Sequence, residues 1–138
     1  MGIDEYCRKK ESIRNAIRSG KAKIQYYEDR ATNCTASYSG MEGHGGQPRL
    51  QAMEDAVVEK AELQRQIEQY YRDMQKLNNC FRQSIRQIGD PRLEMILELR
   101  YIRDCRWKEI GTYMKYGRTQ LYRYHSDAVR ELERLEKK

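Results

Sequence analysis

The sequence predicts an all-α protein: a long antiparallel helical hairpin resembling a coiled coil, followed by a C-terminal three-helix helix-turn-helix. Three observations support this fold class. Apolar residues recur at alternating three- and four-residue steps along most of the 138-residue chain. Charged residues make up 35% of the chain and only two prolines occur, which is typical of long exposed helices. A glycine-rich stretch and a Gly-Asp-Pro step separate the helical segments.

The first predicted helix runs from residue 3 to about residue 33, and a glycine-rich loop follows it. The helical stretch contains no proline and a single glycine. Its narrow apolar seam consists of Ile3, Tyr6, Lys10, Ile13, Ile17, Gly20, Ile24 and Tyr27. Residues 34–48 instead gather glycines, serines and a proline, which is loop composition over a length too great for a tight turn. We therefore expect a flexible linker at 34–48.

The second predicted helix covers residues 50–88 and carries a heptad pattern. One heptad position holds Met53, Lys60, Ile67, Met74, Phe81 and Ile88, and the other holds Ala56, Leu63, Tyr70, Leu77 and Ser84. A helix of about 39 residues extends roughly 58 Å at 1.5 Å per residue. Because such a helix cannot bury its seam alone, it needs a partner helix.

The partner helix can come from the same chain or from a second copy. The first helix can fold back across the loop as an antiparallel hairpin, and two such hairpins would form a four-helix arrangement. We therefore expect residues 1–90 to form an oligomerisation arm and the chain to form a homodimer. The alternative is that the seam packs only within one chain, as a two-helix arm.

A Gly-Asp-Pro step at residues 89–91 predicts the end of the long helix and the start of a second module, residues 91–138. Asp favours the N-cap position and Pro the first helical turn, so a new helix should begin there. Its apolar residues are Leu93, Ile96, Leu97, Leu99, Tyr101 and Ile102.

Two further helices are predicted in this module. Trp107, Ile110 and Met114 line one face of the first, and residues 115–117 form a turn that contains a glycine. The last helix runs from about Arg118 towards Leu135. A short helix, a tight turn and a longer helix are the plan of a DNA-binding helix-turn-helix.

The last predicted helix has a core side and a basic side. At 100° per residue, Leu121, Ala128 and Leu132 share one side, with His125 beside them. The opposite side carries Thr119, Arg123, Ser126 and Arg130, flanked by Arg118 and Tyr122. Arginine can bind guanine O6 and N7 as a bidentate pair, and hydroxyls suit phosphates or base edges. The net charge of +6 concentrates here, because residues 106–125 hold five basic residues against one acid.

Four stretches of this module carry a resemblance. They are Leu97-Glu98-Leu99-Arg100-Tyr101, Trp107-Lys108-Glu109-Ile110-Gly111, Tyr116-Gly117-Arg118-Thr119-Gln120-Leu121-Tyr122-Arg123-Tyr124-His125, and Ala128-Val129-Arg130-Glu131-Leu132. They resemble the region 4 helix-turn-helix of bacterial sigma factors. More loosely, nearly all of the chain resembles the ArpU-like and RinA-like phage regulators of late, packaging and lysis operons, which have similar helical N-terminal halves and a similar Gly- and Ser-rich loop.

The sigma-factor resemblance implies which residues approach DNA bases. The matching positions are Arg118, Thr119 and Arg123. Thr119 stands where an acid is common and Arg123 where Gln is common, so we expect a different cognate DNA sequence. Lys115 also replaces a turn glycine and Gly117 replaces a capping Ser or Thr, so the turn departs from the sigma pattern.

We expect a sequence-specific, duplex DNA-binding transcriptional regulator of phage or mobile-element late genes. A dimer would read two half-sites about 10 base pairs apart, or a multiple, while the helical arm could instead engage RNA polymerase. Two other classes stay open: a small terminase-like DNA-packaging subunit, and a sigma-like adaptor that binds RNA polymerase without touching DNA. The expected DNA-binding residues are Arg106, Lys108, Lys115, Arg118, Thr119, Gln120, Tyr122, Arg123, Ser126 and Arg130.

Several other classes of protein are disfavoured by the sequence. The four cysteines include no Cys-x-x-Cys pair, and only His44 and His125 accompany them, so neither a zinc site nor a nucleophile with its base is recognisable. We expect no enzymatic activity, no cofactor and no metal. No apolar run approaches the roughly 18 residues of a membrane span, and residues 1–10 lack a signal peptide's apolar stretch. We expect the protein in the cytoplasm of a bacterial host, associated with its nucleoid.

Overall fold

A computed structural model describes the backbone of residues 1–38 and 46–137 and the side chains of residues 1–32 and 50–137. Within these ranges the chain is entirely helical and contains no strand. Its elements are α1 (Ile3–Tyr38), α2 (Gly46–Arg86), α3 (Pro91–Leu97), a π-helical segment (Glu98–Ile102), α4 (Trp107–Met114) and α5 (Arg118–Glu136). The predicted fold class, a long helical hairpin followed by a three-helix helix-turn-helix, is confirmed.

The two long helices reach further into the predicted loop than the sequence analysis allowed. α1 continues to Tyr38 and α2 begins at Gly46, so the predicted loop bounds of 34–48 were wrong at both ends. No glycine or proline occurs at 34–38 to stop α1. Pro48 lies in the first turn of α2, where the N–H that it lacks would have no partner within the helix. The centre of the predicted loop, residues 39–45, lies outside the described residues.

The chain forms two compact units. The first joins Met1–Glu11 to Met74–Lys138, and the second is Ser12–Asp73. Both long helices therefore contribute to both units. The predicted division into an arm (1–90) and a DNA-binding module (91–138) stays a prediction. None of the helices in the described part of the chain is long and apolar enough to cross a membrane.

In the second unit, α1 and α2 pack as antiparallel helices along the predicted seam. Gly20 lies against Ile67, where an added Cβ would be only 3.0 Å from the Ile67 Cγ1 atom. About two turns further along α1, Glu28 forms an ion pair of 2.9 Å with Lys60. The lysine that interrupts the heptad pattern thus has a carboxylate partner on the facing helix, while its neighbour Leu63 is buried.

In the first unit, the start of α1 packs beside the end of α2. The Tyr6 side chain is fully buried and its ring stacks on Phe81, with 4.1 Å between centroids. Its hydroxyl donates to the Asn78 side chain at 2.6 Å. Lys10, one turn later, is also buried, with 7% of its surface exposed. The first eleven residues are therefore an integral part of the unit that contains the helix-turn-helix.

A π-helical turn follows α3, where the sequence predicted ordinary helix. The Arg103 N–H donates to the Glu98 carbonyl at 3.0 Å, five residues back. Leu97 and Ile102, also five apart, are both buried; in a regular α-helix they would point about 140° apart. The Lys10 ammonium donates to the carbonyl oxygens of Tyr101 and Ile102, which end this segment. The wider turn thus keeps both apolar side chains in the core.

Three helices share the core of the C-terminal module. Its centre is Ile96 of α3, Ile110 of α4 and Leu121 of α5. Asp90 caps α3 as predicted, because its side chain accepts from the Arg92 N–H at 3.0 Å. Partly buried side chains surround this centre: Leu99, Cys105, Trp107, Met114, Tyr116 and Tyr124.

Candidate nucleic-acid interface

Helix α5 has one buried and one exposed side. Leu121, Ala128 and Leu132 are buried, as their helical spacing predicted. On the opposite side the side chains of Thr119 and Arg123 are exposed, and those of Ser126 and Arg130 continue this side along the helix. We call Thr119, Arg123, Ser126 and Arg130 the exposed stripe. It lies on the face of α5 that is opposite to the core.

The turn between α4 and α5 leaves the start of α5 without a side-chain cap. Lys115 adopts the left-handed conformation, with φ 59° and ψ 39°. The Tyr116 N–H then donates to the Gly111 carbonyl at 3.1 Å. Gly117 occupies the N-cap of α5 and has no side chain that could accept from the first N–H groups. The first turn of α5 therefore contains both uncapped backbone N–H groups and the Arg118 guanidinium, and this combination suits an anion.

A groove of about 540 Å³ lies between α4 and the start of α5. It is lined by aromatic and basic side chains, including Trp107, Lys108, Arg118 and Tyr122. The Tyr122 ring lies 5.3 Å from the Trp107 ring, and the Arg118 guanidinium carbon lies 5.7 Å from the Tyr122 ring centroid. Aromatic rings and cations grouped in this way can bind a negatively charged group with a flat or apolar body.

His125 lies on the inner side of Trp107. Its ring meets the Trp107 ring edge-on, with 4.7 Å between centroids, and its Nε2 lies 2.8 Å from the Tyr101 hydroxyl. Burial, and secondarily the charge of Arg100, lowers the pKa of His125. The half-buried position at the edge of the core is the one that the sequence predicted for this histidine. Its side chain therefore packs and forms a hydrogen bond.

A second group of side chains borders α5 on the side of α3. The Arg92 guanidinium carbon lies 5.0 Å from the Tyr124 ring centroid. The Tyr124 hydroxyl is 3.4 Å from both the Gln120 amide nitrogen and the Arg92 Nη1. Hydrogen bonding and charge from Asp90 raise the pKa of Arg92, and the hydrogen bonds from Arg92 lower the pKa of Asp90.

All ten predicted DNA-binding residues are exposed, and all belong to the first compact unit. Lys108, Arg118 and Tyr122 line one groove, whereas Gln120 faces Tyr124 on the other side of α5. Within the described part of the chain, several have side chains that take part in no hydrogen bond or ion pair: Arg106, Lys108, Lys115, Thr119, Arg123 and Ser126. Their donors are available to another molecule.

Arg130 differs from the other predicted residues. Its guanidinium lies 3.9 Å from the Asp127 carboxylate. Both residues border a hollow of about 330 Å³ that also includes Asp90 and Glu131. Because these carboxylates offset the positive charge, the positive part of the exposed stripe is its first half, around Thr119 and Arg123.

The contact between Arg92 and Tyr124 was not predicted from the sequence. Arg92 belongs to α3, and its guanidinium donates to the hydroxyl of Tyr124 on α5, 32 residues away. Contacts between residues so far apart leave no periodic signal in the sequence. In residues 1–32 and 50–137 no three His, Cys, Asp or Glu side chains are grouped as metal ligands.

The model of a family described as "Protein of unknown function (DUF1492)" matches residues 34–133. The matched segment includes all of α2, α3 and α4 and most of α5. No curated protein and no solved structure matches the chain.

Proposed function

The chain belongs to the DUF1492 family, and we propose that it binds duplex DNA sequence-specifically and regulates transcription, without an enzymatic activity of its own. The exposed stripe of α5 carries this proposal. Thr119 and Arg123 project opposite to the buried Leu121 and Ala128, from the last helix of a helix-turn-helix. In proteins of this plan that helix enters the major groove. The resemblance to phage regulators supports an action in the cytoplasm of a bacterial host.

The chemistry along α5 supports reading of base edges as well as binding to phosphates. Arg123 has a guanidinium without a partner among the described residues, and a guanidinium can bind guanine O6 and N7 together. Thr119 and Ser126 supply hydroxyls for either base edge. Lys108, in the first turn of α4, and Arg118 suit phosphates, which set the position of the protein on the duplex.

A homodimer is part of the proposal, and the second compact unit supports it. The α1 seam there is incompletely covered, since Ile13, Ile17 and Ile24 are only partly buried. Val57 and Val58 of α2 are 64% and 65% exposed. A second copy could cover these side chains and would place two recognition helices on half-sites about 10 base pairs apart, or a multiple. In a monomer, the same surface would be available to RNA polymerase.

Selection from a library of random duplex DNA at two salt concentrations tests the proposal. We expect enrichment of a short element, repeated at a spacing of about 10 base pairs if the dimer is correct. Binding without enrichment that is lost steeply in salt would contradict sequence reading and favour a packaging subunit. Absence of duplex binding at both salt concentrations would favour the polymerase adaptor.

Stoichiometry separates the regulator from the packaging subunit independently of DNA. Analytical ultracentrifugation of the full chain at micromolar concentration should give a dimer. A closed ring of many subunits would contradict the regulatory proposal, because small terminase subunits assemble as rings. A monomer at the same concentration would remove the dimer while leaving the DNA-reading surface intact.

A further inference from the structure

Arg92 lies beside the proposed DNA-reading surface although it belongs to a different helix. Its guanidinium packs over the Tyr124 ring, 5.0 Å from the centroid, and its Nη1 donates to the Tyr124 hydroxyl at 3.4 Å. The same hydroxyl is 3.4 Å from Nε2 of Gln120, one of the residues proposed to contact DNA. Tyr124 therefore joins Arg92 to the edge of the exposed stripe.

The Arg92 guanidinium is held in a fixed orientation with donors to spare. The Asp90 carboxylate accepts from Nε at 3.4 Å and from Nη2 at 3.3 Å, and Asp90 is itself fixed as the N-cap of α3. An arginine has five N–H donors, and these contacts with the Tyr124 contact use about three of them. One donor remains on each terminal nitrogen of a side chain that is 54% exposed. Two N–H donors of one guanidinium can bind the oxygens of a phosphate.

The two flanks of α5 carry the same kind of group. At 100° per residue, Gln120 and Tyr124 lie roughly 80° and 120° to one side of the stripe centred on Thr119 and Arg123. Tyr122 and Arg118 lie at similar angles on the other side. That second flank continues into α4, because Tyr122 contacts Trp107 beside Lys108. Each flank therefore carries a cation: Arg92 over Tyr124 on one side, and Lys108, in the groove lined by Trp107 and Tyr122, on the other.

We propose that Arg92 binds a DNA phosphate on one strand while Lys108 binds a phosphate on the other, so that α5 is held in the major groove from both flanks. This inference rests on the proposed DNA-binding function. A helix inserted in the major groove has one strand of the duplex on each side, at the edges of a groove about 12 Å wide. Cations on both flanks of α5 match that arrangement, and neither of them reads a base.

Arg92→Gln tests the contact on a duplex obtained by selection. We expect about fivefold to tenfold weaker binding and a salt dependence reduced by about one counterion, with an unchanged preference for the DNA sequence. Arg65→Gln is the matched control, because Arg65 is also an exposed arginine paired with a nearby acid, Glu62, and lies in the second compact unit. Equal affinity and equal salt dependence for wild type and Arg92→Gln would overturn the inference.

Asp90→Asn gives a test of opposite sign. Asparagine keeps the N-cap of α3, so the fold is retained, and circular dichroism verifies this. Loss of the carboxylate removes the negative charge that offsets the charge of Arg92, and we expect tighter binding to the selected duplex. In the Arg92→Gln background the same change should have a smaller effect. Equal effects in both backgrounds would contradict a role for Arg92.

Single methylphosphonate substitutions identify the strand that each cation contacts. Wild-type protein should lose affinity when a contacted phosphate becomes neutral. Arg92→Gln should be insensitive at one such phosphate and Lys108→Gln at another, on opposite strands. If Arg92→Gln and Lys108→Gln are insensitive to methylphosphonates on the same strand, the proposed arrangement is wrong. If wild-type protein selects no duplex at all, the proposed function itself fails, which is distinct from failure of the Arg92 contact alone.

Discussion

The hydroxyl of Tyr101 lies 2.8 Å from Nε2 of His125, and this contact joins the π-helical segment to α5. Burial raises the pKa of Tyr101 and lowers that of His125, so both side chains are neutral in the folded protein at neutral pH. Trp107, which lines the groove beside α5, also contacts the His125 ring, with 4.7 Å between the ring centroids. Protonation of His125 would place a second cation near Arg100, whose guanidinium lies 4.7 Å from the Trp107 ring centroid.

We predict that the free energy of unfolding falls as the pH is lowered from about 7 to about 5. The pKa of His125 in the folded protein lies below its ordinary value of 6.5. At a pH between the pKa of His125 in the folded protein and its pKa in the unfolded chain, the unfolded chain binds more protons, so acid favours unfolding. The contribution of His125 is therefore complete above about pH 6.5 and is lost below it. Urea denaturation at several pH values measures this dependence.

His125→Gln is the matched control for the pH dependence. The glutamine amide can bond to the Tyr101 hydroxyl in place of the ring nitrogen, but it does not titrate. The decline in stability between about pH 7 and pH 5 should therefore be smaller in the variant. A variant with the same decline as wild type would show that His125 is not the responsible group.

Two neighbouring lysines should differ strongly in their contribution to stability. Lys10 is buried and donates to two backbone carbonyls as well as to Asp104. Lys10→Met should lower the free energy of unfolding by about 2–3 kcal/mol, because it leaves buried acceptors without their donor. Lys9 is exposed and pairs with Glu5 at 2.8 Å on the same helix, so Lys9→Met should change stability by less than about 0.5 kcal/mol. Equal losses in urea denaturation would contradict the role of Lys10.

Lys115 holds the turn before α5 in a strained conformation. Its φ of 59° lies in the left-handed region, which glycine adopts without the clash that a Cβ causes. Lys115→Gly should therefore raise the free energy of unfolding by about 0.5–1 kcal/mol, whereas Lys115→Ala should not. Both variants lose the ammonium and should bind the selected duplex equally weakly. If Lys115→Gly is no more stable than Lys115→Ala, the turn differs from the one described.

The features that the sequence predicted well are those with a local signal. The three- and four-residue steps that include Ile67 and Phe81 predicted the α2 seam, and both side chains are buried. Asp90 before Pro91 predicted the start of α3. The spacing of Leu121 and Ala128 predicted which side of α5 is buried, because a regular helix converts sequence position directly into direction.

The features that the sequence did not predict depend on partners far along the chain. Lys10 donates to carbonyl groups 91 and 92 residues away. The sequence alone therefore gave no reason for a lysine in the apolar seam. Arg92 and Tyr124 meet only once α3 and α5 pack together. The π-helical turn had a weak local signal, since Leu97 and Ile102 are five residues apart and both apolar. A five-residue spacing predicts a π-helical turn only once it is known that one core buries both side chains.

The exchange of Arg123 for alanine tests sequence reading by α5 most directly. Binding of Arg123→Ala is measured with the selected duplex and with its single base-pair variants. At one base pair, the variant should lose about 1–3 kcal/mol of discrimination between the selected base pair and the others. At the remaining positions, it should discriminate as wild type does. Arg134→Ala, on the same helix but paired with Glu131 at 2.8 Å, should keep the wild-type pattern. If Arg123→Ala discriminates among the duplexes as wild type does, Arg123 does not read a base and the central claim fails.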